Sequence, residues 1–353
     1  MNDLKSYGWN QYWDEKMKSC GGLLPGRITS VDRGLFTAAT PEGEFPAKTS
    51  GKYRLLCDSG NALWPVVGDF AALSLQGGQH MIEAVLERKS FLKRKEASSI
   101  VGTQAMAANI DIVLIATSLN RDYNTAKLER YLAVAWDSGA SPVIALTKSD
   151  LCGDIHAVME SIEAVAFGVP VHAVCALTGE GIDELLGCIP RGSTAVCIGS
   201  SGVGKSTLLN TLMGAEVMHT SEIREDDARG RHTTTKRQMF VLPGGQIFID
   251  TPGMRELGLA DGQDAGLSSA FSDIEDLARQ CRFSDCRHES EPGCAVKAAI
   301  ESGDVPEERL SNWRKLQKEL AYLERKTGSY YGKAAIEGRK RQKMMQNYHK
   351  VKY

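Results

Sequence analysis

The run from Gly199 to Ser206, Gly-Ser-Ser-Gly-Val-Gly-Lys-Ser, constrains the fold more than any other stretch of the chain. It follows an apolar segment, Ala195 to Ile198, and leads into an amphipathic one, Thr207 to Met213. A glycine-rich loop between a strand and a helix is the setting in which such a run holds phosphate. Gly199, Gly202 and Gly204 free the backbone, so that N–H groups of the loop, those of Ser200, Ser201 and Val203 included, can face an anion. The helix N-terminus adds a favourable dipole. Lys205 is placed to reach the β- and γ-phosphates and Ser206 to coordinate Mg²⁺, with Thr207 closing the motif. The chain must therefore contain an α/β layer with a mostly parallel sheet.

The companions of this loop come in an unusual order. Asp250-Thr-Pro-Gly253 ends an apolar run, Gln246 to Ile249, that follows Met239 to Leu242 across Pro-Gly-Gly, a hairpin pattern. Asp250 can hold the Mg²⁺ shell, and Gly253 leaves backbone N–H access to a γ-phosphate. Thr147-Lys148-Ser149-Asp150 closes the apolar segment Val143 to Leu146. Asp150 can accept from guanine N1 and N2, a pairing adenine cannot supply, and Lys148 can lie along the base. Thr147 stands where Asn is usual, which alters the hydrogen bonding around the base. Cys175-Ala176-Leu177 ends the next strand-like segment and resembles a Ser-Ala-Leu loop that touches guanine O6. In ordinary GTPases the base-reading run follows the phosphate loop; here it precedes it. The parts are those of a GTPase visited in rotated order, hence a circularly permuted GTPase domain.

Between the two phosphate motifs lies a polar loop holding Gly230-Arg-His-Thr-Thr-Thr235. A loop threonine can sense Mg²⁺ and γ-phosphate together. Thr233 and Thr234 both qualify; we assign Thr234, with Ser206, to Mg²⁺. Many GTPases place Gln just after Asp-x-x-Gly to orient the attacking water, but here that position is Met254, a poor partner for water. His232 is the candidate to replace it, its near-neutral titration suiting water positioning.

Cys281, Cys286, His288 and Cys294 supply three thiols and an imidazole within a short span, a tetrahedral Zn²⁺ set with no position left for catalysis. The other six of the nine cysteines are scattered, mostly in apolar stretches, which argues for reduced thiols and against a disulfide framework. Short β-like segments from 22 to 87 (Arg27–Val31, Leu35–Ala38, Phe45–Lys48, Lys52–Leu56, Phe70–Leu73, Ile82–Leu86) suit a small barrel of OB type. Strand signals vanish after 258, where helical and metal-ligand segments follow. The expected division is an arm over 1–20, a barrel over 21–95, the permuted GTPase over 96–258, a helical zinc module over 259–336 and a basic tail over 337–353. With a net charge of −2 the chain is no general polyanion coat, so RNA contact falls to local basic runs, Arg88 to Lys95 and the tail. The aromatic arm (Tyr7, Trp9, Tyr12, Trp13) either stacks on bases or docks on its own domain. No apolar run is long enough for a membrane span and no apolar signal core opens the chain, so a cytoplasmic protein is expected.

With these residues in view, the chain resembles the RsgA (YjeQ) family of bacterial small-ribosomal-subunit biogenesis GTPases. Gly199–Thr207, Gly230–Thr235, Asp250–Arg255 and Cys281–His288 carry the resemblance, which spans nearly the whole chain. It implies an OB-fold, a permuted G domain and a C-terminal zinc domain. It also implies GTP hydrolysis to GDP, stimulated by the 30S subunit with its 16S rRNA during late maturation. Nothing in the sequence demands more than a monomer. Two competing readings are a P-loop small-molecule kinase and an RNA-binding module with structural nucleotide. The first lacks an acceptor site and is opposed by the guanine run; the second does not need the loop threonines or Asp250.

Overall fold

The computed structural model describes residues 4–95, 103–119, 124–215, 237–250 and 264–325. The arm forms a short helix, α1 (Gln11–Met17), capped by the Asn10 side chain. Alternating apolar and polar residues then build β1 (Leu24–Asp32), β2 (Leu35–Thr40) and β3 (Gly43–Thr49). Helix α2 (Gly51–Asp58) follows, and β4 (Phe70–Gln76) and β5 (Gln79–Val85) complete the set. The strands run β1-β2-β3-β5-β4, and β4 returns to β1, which closes the expected barrel. Ile28, Phe36, Ala38, Ala71, Leu73 and Ile82 fill it.

One strand expectation fails. Lys52 to Leu56 lies within α2. Ser50 Oγ accepts from the Tyr53 N–H at the start of this helix, satisfying a donor that the first turn leaves orphaned. Tyr53 and Cys57, one turn apart, are its buried face, whereas Leu55 is 70% exposed. The adjacent Leu-Leu pair imitates a strand; the true signal is the four-residue spacing of Tyr53 and Cys57. The arm docks on its own protein: Trp13 is buried against Phe70, ring centroids 4.0 Å apart, and Trp9 meets the same ring edge-on.

Beyond the barrel, β6 (Phe91–Lys95) and β7 (Thr103–Ala108) form a separate two-stranded ribbon. The α/β layer follows: β8 (Ile112–Ser118), α3 (Thr125–Asp137), β9 (Ser141–Thr147), α4 (Ile155–Glu163), β10 (Val171–Val174), α5 (Ile182–Gly187), β11 (Thr194–Ile198) and α6 (Lys205–Met213). The hairpin β12 (Arg237–Val241) and β13 (Ile247–Asp250) completes it. The order is β10-β9-β8-β11-β13-β12, parallel except for β12. Leu114, Ala145, Val196 and Phe248, each fully buried, show why these strands read as continuous apolar runs.

Barrel and layer share one sheet. The first half of β1 pairs with β4; its second half pairs with β12, through Ser30 with Gln238 and Val31 with Arg237. A register shift between Ile28 and Ser30 marks the change of partner. Gly68 makes the junction possible: at φ +92°, a Cβ there would sit 2.1 Å from the Ala108 carbonyl oxygen.

The described chain packs as two compact units, 1–93 with 105–257, and 94–104 with 258–353. The second contains α7 (Asp264–Ala270), α8 (Ser272–Ala278), α9 (Ala295–Ser302) and a helical stretch over 307–325. Its centre is Phe271, Ile274 and Val296, with the buried Arg309 donating to both carboxylate oxygens of Asp273 and to the Ala270 carbonyl. No helix among the described residues is long and apolar enough to cross a membrane.

Candidate nucleotide site and metal cluster

Because β9, β10, β11 and β13 run parallel, their carboxyl ends share one edge of the sheet, where open α/β layers bind ligands. The chain leaves β11 at Ile198, crosses the glycine loop and enters α6 at Lys205. Gly199 (φ +146°), Gly202 (φ +78°) and Gly204 (φ +92°) take conformations that L side chains rarely adopt. A Cβ on Gly199 would meet the Ala116 carbonyl oxygen at 2.2 Å. Lys205 Nζ donates to the Gly199 and Ser200 carbonyls at 2.8 and 2.5 Å, curled over the loop it would share with a phosphate. Asp250 ends β13, and the register of Val196 with Ile249 brings it alongside the start of that loop. Between them, burial pushes the Cys197 thiol up to about 12, so it is inert. Ser206 and Thr207 lie in the first turn of α6.

The Thr147–Asp150 run is tied directly to the Gly199–Ser206 loop. Thr147 Oγ1 donates to the Val203 carbonyl at 2.5 Å and lies 3.3 Å from the Thr117 carbonyl. Lys148, in the left-handed region at φ +58°, sends Nζ to the Gly202 carbonyl at 2.9 Å. This turn leaves Ser149 buried and Asp150 exposed. The Cys175 thiol, at the end of β10, donates to Asp150 Oδ1 at 3.3 Å. The Ala176 carbonyl accepts from Thr211 Oγ1 of α6 at 2.9 Å, and Leu177 points to solvent. The three stretches chosen from the sequence thus meet. What the sequence did not reveal is how: Thr147 and Cys175 spend their single donors on the protein. Tyr131 Oη, 3.4 Å from Ser200 Oγ, is a further neighbour that no motif announced.

Thr233, Thr234, His232, Gly253 and Met254 lie outside the described residues, as does the tail 337–353. Of the basic run from 88 to 95, Arg88 is an internal strut, its Nε and Nη2 each donating to one carboxylate oxygen of the buried Asp69 at 2.7 Å. Lys93 pairs with Asp137 at 3.4 Å. Neither is an open RNA contact; the side chains of Arg94 and Lys95 lie outside the described residues.

In the second unit, the ligand atoms of Cys281, Cys286, His288 and Cys294 all lie within 4.8 Å of one another. Cys281 Sγ to His288 Nδ1 is 3.6 Å, His288 Nδ1 to Cys294 Sγ 3.4 Å and Cys281 Sγ to Cys294 Sγ 3.9 Å. Ligands roughly 2.3 Å from a tetrahedral centre stand about 3.7 Å apart, so this cluster can hold a metal ion. Arg314 fixes the loop by donating to the Arg287 and His288 carbonyls. All nine cysteines are free of disulfides.

A strand–glycine loop–helix and the Thr147–Asp150 run beside it on one sheet, visited in rotated order after a closed barrel, have the layout of a circularly permuted P-loop GTPase. The chain is similar to curated proteins named small ribosomal subunit biogenesis GTPase. It is 46% identical to RsgA 1 of Listeria innocua, over 92% of this chain and 91% of that one. It is 42% identical to RsgA of Streptomyces coelicolor, over 92% and 88%. Among solved structures, YjeQ from Thermotoga maritima superposes with a TM-score of 0.64 at 29% identity, covering 84% of this chain and 98% of that one. YloQ, described as a circularly permuted GTPase, shares the fold with a TM-score of 0.59. The family model RsgA GTPase matches residues 85–260. The chain belongs to the RsgA GTPase family.

Proposed function

We propose that this protein hydrolyses GTP to GDP and phosphate during late maturation of the 30S ribosomal subunit, binding its 16S rRNA as a cytoplasmic monomer. The observation that carries the reading is the convergence of Asp150, Lys205 and Asp250 on one sheet edge; the names of the relatives supply the ribosomal context. Asp150 accepts from guanine N1 and N2, while the backbone of Cys175, Ala176 and Leu177 faces O6. The N–H groups from Gly199 to Thr207 and the Lys205 ammonium hold the phosphates. Ser206, Thr234 and Asp250 hold Mg²⁺, which neutralises charge on the phosphates when bound. His232 orients the water that attacks the γ-phosphorus, Thr233 and Gly253 line that phosphate, and the β–γ bridging oxygen leaves with GDP. The Cys281–Cys294 cluster holds one Zn²⁺ as a structural ion, and the division into barrel, GTPase, zinc module and basic tail follows the boundaries given above.

Single-turnover GTP hydrolysis with and without purified small subunits tests the reading. Unassisted hydrolysis is expected at roughly 10⁻⁴ to 10⁻² s⁻¹, because Met254 replaces the water-orienting Gln. Saturating subunits should accelerate it, and His232→Ala should lose most of that gain while still binding GTP and subunits. A rate indifferent to subunits overturns the ribosomal assignment; a fully stimulated His232→Ala overturns the role of His232.

A further inference from the structure

A cavity of about 320 Å³ opens between the docked arm, the barrel and the amino-terminal end of β11, on the side of the sheet away from the phosphate loop. It lies wholly within the first unit. Its floor is the buried Arg27, whose guanidinium donates to the Tyr7, Gly68 and Asn109 carbonyls and to Thr194 Oγ1. Desolvation brings Arg27 down to about 10, which still leaves it charged at neutral pH. Lys89 and Arg191 stand exposed at the mouth against one lining carboxylate, Asp111, which already accepts from the Thr194 N–H at 2.8 Å. The Lys89 ammonium is held 3.9 Å from the centre of the Tyr12 ring, so the arm positions a cation at the rim. Half-buried Trp9 forms one wall.

A polar cavity with surplus positive charge and an indole wall selects an anion attached to a flat ring. The volume, near the lower end of small-molecule pockets, suits one nucleotide and no more. The geometry points to a second nucleotide-binding site, which takes a phosphorylated nucleoside, free or as one residue of an RNA strand. The phosphate sits between Lys89 and Arg191 above Arg27, and the base lies against Trp9. The RNA form of the site rests on the ribosomal reading given above; the free-nucleotide form does not.

The test uses the full chain, loaded with GDP and Mg²⁺, and follows tryptophan fluorescence during titration with uridine 5′-monophosphate and, separately, with a uridine hexanucleotide. Uracil offers one N3–H donor in place of guanine's paired N1–H and N2–H, and bound GDP already fills the guanine site, so that site is not being read. A saturable change with either probe is expected. Arg191→Gln should weaken it about tenfold, the loss of one charge-assisted contact, and Trp9→Phe should remove most of the signal. GTP turnover, measured on the same samples, should be unchanged by Arg191→Gln, which shows that the fold is intact and keeps this outcome separate from that of the GTPase assignment. Equal affinity for the two probes assigns the site to a free nucleotide. A hexanucleotide preference above about tenfold, which the single-contact arithmetic does not explain, assigns it to RNA. No saturable change with either probe, or one indifferent to Arg191→Gln, overturns the proposal.

Discussion

The nucleotide edge and the metal cluster solve the same problem, holding several polar groups close together, by opposite means. At the nucleotide edge the groups belong to loops clamped onto a sheet with a large apolar core, and backbone does most of the holding: the Val203, Gly202 and Ala176 carbonyls receive Thr147, Lys148 and Thr211. In the metal unit, the short α8 and α9, of seven and eight residues, flank four side chains whose ligand atoms gather within 4.8 Å. The first is held by an apolar core, whereas in the second three thiols and an imidazole lie within 4.8 Å of one another. The comparison teaches that proximity of ligands is evidence of function in the first place and of folding in the second.

The largest effect should come from breaking that asymmetry. If the cluster holds a structural metal ion as proposed, stripping it with a strong chelator, or replacing the buried Cys294 by Ala, should unfold the second unit, since metal binding in small zinc-type modules carries about 10 kcal/mol or more. Circular dichroism should show the loss of helix from 264–325 while GTP binding persists. A chelated protein that keeps its helix would place both regions in the same class. Next in size, Gly199→Ala forces a Cβ onto the Ala116 carbonyl from a left-handed backbone, and should cost about 2–4 kcal/mol and most GTP binding. Thermal unfolding alongside nucleotide titration checks it; intact affinity would show that the loop tolerates rearrangement. Asp150→Asn should weaken GTP by roughly 10- to 100-fold, a charged hydrogen bond's worth, and narrow the gap to xanthosine triphosphate. Equal affinity for GTP before and after would move base reading elsewhere. The smallest effect concerns Thr147, whose one hydroxyl proton goes to Val203. With that donor committed, guanine N7 goes unread by this side chain, so 7-deaza-GTP should bind as well as GTP. Thr147→Asn should restore a preference for GTP of a few-fold, about 1 kcal/mol. A strong preference already present in the natural protein would show that another group reads N7.

The backbone of Gly199, Gly202 and Gly204 and the gathering of Cys281, Cys286, His288 and Cys294 were legible because the first is dictated by a local backbone angle and the second by a spacing that suits one tetrahedral centre. The barrel strands were legible through alternation. Lys52 to Leu56 was not, because two adjacent leucines outweighed a helical pair that only Ser50's cap makes decisive. Arg88 was misjudged for a related reason: a cationic run looks like surface until the partner, Asp69, arrives from the loop before β4. The links of Thr147 to Val203 and of Cys175 to Asp150 join residues far apart in sequence, and no local pattern encodes them.

The change of partner along β1 has a consequence for how the protein is made. When the ribosome has released the barrel, Leu24 to Arg27 can already pair with β4, but Ser30 and Val31 must wait for β12, which emerges only after the whole nucleotide-binding segment. Until then β1 presents an open strand edge, the kind of surface that recruits a wrong neighbour. Synthesis therefore runs with one seam unsewn, and the late arrival of Arg237 and Gln238 both finishes the sheet and withdraws that edge from competition. A pause in translation between β11 and β12 would lengthen the exposed interval without changing a single contact in the finished protein.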